Sequence, residues 1–189
     1  MRFFIAFTSL ISIVLALPNP AARAEIDPNT CTALAKNVGN YHYQNFGGCN
    51  AMIRDCVSTF KAEGNATHNP WGSNSCVAAA TCWGAGSLRD YLQCQDSTFD
   101  PSSAPTLDYT NVYAPIVGDC AWQEGGCPIT FQNYVDFIYR TTSDLGSSGY
   151  PSSTETLRNY YWSYVINWTT SGETVPYTNF NDFLFYSRT

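Results

Sequence analysis

Basic residues are scarce in this chain, and that scarcity removes whole classes of partner. Nine Lys and Arg face fifteen Asp and Glu, and only Lys36 and Lys61 are lysines. No basic patch is visible, so a phosphate backbone or an anionic membrane would be repelled rather than held. Histidine is rarer still, with His42 and His68 alone. Neither lies in a nucleophile-base context, and no Gly-x-Ser-x-Gly elbow is present. Zinc spacing is absent too: the tightest cysteine gap, between Cys76 and Cys82, holds five residues, beyond the two to four usual for paired ligands. No metal or other cofactor is expected. Val-Ile-Thr alternation never persists, and Tyr109 to Val117 is the one segment that reads as a strand.

Long apolar runs are missing after the first. Arg2 precedes the nearly continuous apolar stretch Phe3–Leu17, and Ala22-Arg23-Ala24 has the small-x-small pattern of a cleavage site. A run of fifteen residues falls short of the ~20 of a membrane span. We read residues 1–24 as a secretory signal and 25–189 as one domain, with no membrane span once the signal is removed. Cleavage leaves seven basic against fifteen acidic residues, a net charge of −8.

What the chain does have is cysteine. All eight lie beyond the signal, which fits four disulfides in an oxidising compartment and therefore secretion. They make up about 5% of the mature chain, too sparse to replace a packed interior, so they should reinforce one. Asn65-Ala66-Thr67 and Asn167-Trp168-Thr169 are N-glycosylation acceptors and agree with export.

Periodicity points to a mostly α fold: a single disulfide-stapled helical domain of five to seven helices with long irregular loops. Asp27-Pro28 opens the first helix as cap and N1 proline, and Gly39 closes it. Cys49, Met52, Ile53, Cys56, Val57 and Phe60 then recur at the spacing of one helix face, up to Gly64. Ser75 caps a helix through Trp83, and Ser87 to Asp90 caps another leading to Cys94. Gln95 to Val117, with Pro101, Pro105 and Pro115, reads as a long connection. Pro128-Ile129-Thr130 begins a helix with Phe131, Tyr134, Val135 and Ile138 on one face. Ser152 to Glu155 forms a capping box. The stripe that follows it is Leu157, Tyr160, Tyr161, Tyr164, Val165 and Trp168, with Trp162 and Ile166 opposite. Pro176-Tyr177-Thr178 starts a short last helix with Phe180, Phe183 and Leu184 inward.

Helix register constrains the cysteine pairing. Cys49 and Cys56 are ~10 Å apart along their helix, and Cys76 and Cys82 ~9 Å along theirs, both too far to bond within the pair. Facing residues of an antiparallel helix pair have a nearly constant sum of positions. Cys49 with Cys82 gives 131 and Cys56 with Cys76 gives 132. The glycine-containing segment between Cys120 and Cys127 can close on itself, which leaves Cys31 with Cys94. This is one of 105 possible connectivities.

Candidate chemistry is thin. A hydrolase could use Asp119 and Glu124, two carboxylates in the Cys120–Cys127 region, as an acid-base pair acting on glycosides. Flat aromatic rings can stack on sugar faces, and the aromatics outside the helix stripes are Trp71, Trp122, Trp162 and Tyr177. The leading expectation is a secreted binding protein for an extracellular glycan or protein partner. The small acid-base hydrolase is the alternative.

In its signal, acidic mature chain, eight cysteines, few lysines and many aromatics, the chain resembles the small secreted cysteine-rich proteins of filamentous fungi. It lacks the adjacent Cys-Cys pairs of hydrophobins and the Cys-x-Cys step of the CFEM type. The resemblance therefore implies export and disulfide bonding, and gives no residue a role.

Overall fold

The computed structural model describes residues 26–39, 48–63, 69–101 and 106–188. Among these residues there is no strand, only one isolated antiparallel bridge between Ile129 and Val175. The fold is mostly α and disulfide-stapled, as the periodicity implies. His42, His68, Asn65 and the proposed signal lie outside the described residues.

The first two helices follow the sequence closely. Helix α1 spans Pro28–Gly39, and the Asp27 carboxylate accepts from the Thr30 backbone N–H at 3.3 Å, satisfying one of the free donors of the first turn. Helix α2, Cys49–Glu63, buries Cys49, Met52, Ile53, Cys56 and Phe60 and leaves Val57 half-buried. Helix α3, Asn74–Trp83, lies antiparallel to it. The pair is stapled by Cys49–Cys82 and Cys56–Cys76, with Cα separations of 6.0 and 4.6 Å. These are the partners that helix register implies.

The core is organised around α3. Every side chain from Ser75 to Cys82 is buried, because α2, helix α4 (Ala85–Gln95) and helix α6 (Phe131–Asp144) all pack on it. Ala78, Ala79 and Ala80 present little bulk, which allows that close surround. The helix starts two residues earlier than a Ser75 cap implies, with Ser73 at the cap. Likewise α4 starts at Ala85 rather than at Ser87, since Gly84, at φ 103°, turns the chain directly from one helix into the next. Cys31–Cys94 ties α1 to the end of α4.

The segment Tyr109–Val117 is not a strand. Asp108 accepts from the Asn111 backbone N–H at 2.8 Å and from its side-chain amide at 2.9 Å. This cap nucleates a π-helical turn, Tyr109–Tyr113, which runs directly into helix α5, Ala114–Val117. Local capping thus prevails over the short β-branched run.

Helix α6, Phe131–Asp144, opens with a capping box between Thr130 and Asn133 and buries Tyr134, Val135, Phe137 and Ile138. Helix α7, Thr154–Leu157, is capped by Ser153, whose hydroxyl accepts from the Thr156 N–H at 3.1 Å; Glu155 does not complete the expected capping box. A π turn, Arg158–Trp162, then joins α7 to helix α8, Ser163–Thr169.

That π turn keeps Leu157, Tyr161 and Val165 of the predicted stripe inside and turns the other three residues out. It places one extra residue in the turn, so i+4 and i+5 spacings, not i+3, return to the same face. Leu157, Tyr161, Trp162, Val165 and Thr169 point inward, while Tyr160, Tyr164 and Trp168 are 38%, 48% and 37% exposed. Helix α9, Tyr177–Tyr186, buries Phe180, Phe183 and Leu184 as expected. The C-terminal segment after it is strapped onto α4. Arg89 donates to the Ser187 carbonyl at 2.6 Å, and Gly86 leaves just enough room for the Arg188 backbone.

Candidate functional site

Three of the residues singled out from sequence belong to one short loop. After α5 the chain makes a 3₁₀ turn, Gly118–Trp122, and the Cys120–Cys127 disulfide closes the loop with a Cα separation of 5.8 Å. Ala121 turns inward and Trp122 outward, where its ring is 64% exposed. Asp119 and Glu124 are exposed on the same loop.

The π turn holds this loop from beneath. Four residues apart, Tyr109 and Tyr113 project side by side, with ring centroids 4.9 Å apart. The Tyr109 hydroxyl donates to the Ala121 carbonyl and the Tyr113 hydroxyl to the Cys127 carbonyl, so two phenols grip the two ends of the loop. Gly126 fits between them. Its φ is 62°, and a Cβ there would lie 3.4 and 3.5 Å from the two hydroxyls. Tyr177 joins from the start of α9, with its ring 5.1 and 4.9 Å from those of Tyr109 and Tyr113 and its hydroxyl donating to the Leu107 carbonyl at 2.6 Å. Trp122 meets Tyr109 edge-on at 5.5 Å. Burial raises the pKa of the Tyr113 and Tyr177 phenols, which keeps both as donors across the physiological range. The arrangement is a ladder of four rings with the indole at its exposed end.

The other candidates are elsewhere. Trp71 is fully buried beside α3, its backbone tied to Asn69 and Asp108, and is a core residue, not a ligand platform. Trp162 is only 3% exposed and packs at a tilt against Tyr134, with ring centroids 5.0 Å apart. It therefore offers no free ring face, and it does not share the surface of Trp122. It is one of the residues lining a cleft of about 780 Å³ between α6 and α8. Asn167 lines that cleft, as do Phe131, Arg158 and Glu173. The Arg158 guanidinium sits 3.8 Å from the Phe131 ring centroid. A smaller cleft of about 320 Å³ lies beside Arg89, Asp90 and Arg188.

Asp119 and Glu124 line neither cleft, and neither makes a hydrogen bond or ion pair among the described residues. Among the described residues no group of three His, Cys, Asp or Glu is placed to hold a metal ion. No protein-family profile, curated protein or solved structure matches this chain.

Sequence reasoning missed Tyr109 and Tyr113, because their segment read as a strand. The signal was available: Asp108-x-x-Asn111 is a capping pattern, and two tyrosines four apart become neighbours once the segment coils.

Proposed function

We propose that this is an exported binding protein that docks on an extracellular glycan through Trp122. The observation that carries the reading is the exposure of a large indole at the tip of a loop held by a disulfide and two phenol-to-carbonyl bonds. An exposed flat ring stacks on the C–H face of a pyranose, and fixing it in advance lowers the entropy lost on binding. Asp119, Gln123 and Glu124, exposed on the same loop, offer acceptors and a donor for sugar hydroxyls. Export is supported by four cystines, by the leader-like residues 1–24, and by the fact that no described helix is long and apolar enough to cross a membrane.

The test is retention on immobilised polysaccharides and a glycan array, with Trp122→Ala as the probe. Because the ring is mostly exposed, the variant should fold normally and lose retention. Wild-type protein that is held by no glycan would end the sugar reading, and so would a variant that binds as well as wild type.

A further inference from the structure

We infer that the cleft between α6 and α8 is the seat of the chain's own N-linked glycan, attached at Asn167. The inference rests on the export reading above and not on the Trp122 docking site.

Asn167 is the acceptor of Asn167-Trp168-Thr169, is exposed on α8, and lines the cleft. Side chains on a helix lean toward its N-terminus and cover the preceding turn. A sugar on Asn167 is therefore led back along α8 over Ser163 toward Asn159 of the π turn, into the cleft rather than off the helix end. The volume of about 780 Å³ falls within the ~300–1,000 Å³ of pockets that bury a small molecule, enough for the first sugars of a glycan.

The lining matches a neutral saccharide. Ile166 and the parts of Phe131 and Trp162 that reach the lining supply apolar contacts for ring C–H groups and an N-acetyl methyl, while Asn159 and Ser163 supply hydrogen-bonding groups. Arg158 and Glu173 are the charged residues of the lining, one of each sign, and the guanidinium rests on the Phe131 ring. The balance of charge favours neither a phosphate nor a carboxylate ligand.

Attachment precedes folding. In the folded chain the Thr169 hydroxyl is buried and donates to the Val165 carbonyl at 2.8 Å, so the acceptor triplet is closed within the helix. On the unfolded chain the Asn167 amide nitrogen attacks C1 of the first sugar of a lipid-diphosphate-linked oligosaccharide. The N–C1 bond forms, the C1–O bond breaks with its electron pair going to the leaving lipid diphosphate, and the amide gives up one proton. When α8 then coils, the sugar is carried into the cleft.

The experiment compares four full-length forms by intact mass and amide hydrogen exchange. They are the protein secreted from a glycosylating host, the same protein trimmed enzymatically to one N-acetylglucosamine, Asn167→Gln, and unglycosylated wild type from an oxidising bacterial compartment. We expect Asn167 to be occupied. Exchange in residues 130–132, 158–163 and 172–174 should be severalfold slower in the glycosylated and trimmed forms than in the bacterial wild type. Bacterial wild type serves as the reference if Asn167→Gln folds poorly. An unoccupied Asn167 in the secreted protein overturns the inference, as does exchange in those segments that ignores the sugar. Neither result depends on whether Trp122 binds a glycan.

Discussion

Thr81 and Tyr134 meet in the middle of the core, and their hydrogen bond has a direction that can be worked out. The Thr81 hydroxyl lies 2.7 Å from the Ala78 carbonyl and 2.7 Å from the Tyr134 hydroxyl. A carbonyl only accepts, so the single Thr81 proton goes to Ala78, and Tyr134 must donate to Thr81. The two deletions are therefore unequal. Tyr134→Phe removes a donor along with its need for a partner and leaves a threonine oxygen that still donates; about 1 kcal/mol should be lost. Thr81→Val keeps the shape but strands a phenol O–H that is 1% exposed, and should cost about 2–3 kcal/mol. The double variant has no stranded donor, so the two losses should fail to add by about 1–2 kcal/mol. Urea unfolding at neutral pH, with cystines intact and helix content followed by circular dichroism, measures all four corners. Losses that add to within about 0.5 kcal/mol, or a Thr81→Val variant no less stable than Tyr134→Phe, would refute the assigned direction. Burial also holds the Tyr134 phenol well above its ordinary value of 10.0. The folded state then keeps this proton more tightly than the unfolded chain does. Its contribution is whole below about pH 10 and is lost as pH rises from there toward the folded pKa. The stability gap between wild type and Tyr134→Phe should narrow accordingly on the alkaline side.

Asp108 should show the opposite sign. The Asn111 backbone N–H, helped by the Asn111 amide, pulls its carboxyl below the usual 3.8, so its stabilisation is present above that value and lost as pH falls through the lowered pKa. Asp108→Ala should cost about 1 kcal/mol near neutrality and almost nothing in strong acid, read from urea midpoints across the acid range; an equal cost at both ends would count against the cap. Replacing Cys120 and Cys127 by Ser opens a bridge of sequence separation 7, which loop entropy puts at about 2 kcal/mol, checked by a calorimetric melting point that should fall. Gly86→Ala tests the C-terminal strap, because the new Cβ would lie 3.0 Å from the Arg188 backbone. Alanine is the better helix former by ~0.5–1 kcal/mol, so a lower melting point would show that the clash outweighs propensity, and a higher one would mean the strap is not packed there.

The helices that packed as their periodicity implied are those whose apolar spacing continues without interruption. Helices α2, α6 and α9 each follow one unbroken 3.6-residue pattern, and the cysteine register in α2 and α3 follows from the same repeat. Reading failed where a turn of different width intervenes. At Arg158–Trp162 the sequence shows a run of aromatics that fits either phase, and contact with Phe131 and Tyr134 decides which residues go inward. At Tyr109–Tyr113 the decisive feature is Asp108, whose capping bonds are visible as a motif but compete with β-branched neighbours. The site was legible in part for the same reason. A disulfide loop announces Trp122, Asp119 and Glu124 by its cysteines, whereas Tyr109 and Tyr113 come to it through tertiary packing. Trp71 and Trp162 differ from Trp122 only in what surrounds them, which no local pattern records.

All eight cysteine sulfurs lie at or before Cys127, and the three bridges Cys31–Cys94, Cys49–Cys82 and Cys56–Cys76 all fall within the first four helices. A protease that nicks the chain between Cys31 and Cys94 leaves fragments still joined covalently, inseparable until reductant is added. A nick at the turn around Gly149 has no such safeguard: α7, α8 and α9, with Asn167 among them, would then be held to the remainder by packing alone and would part from it under denaturant without any reduction.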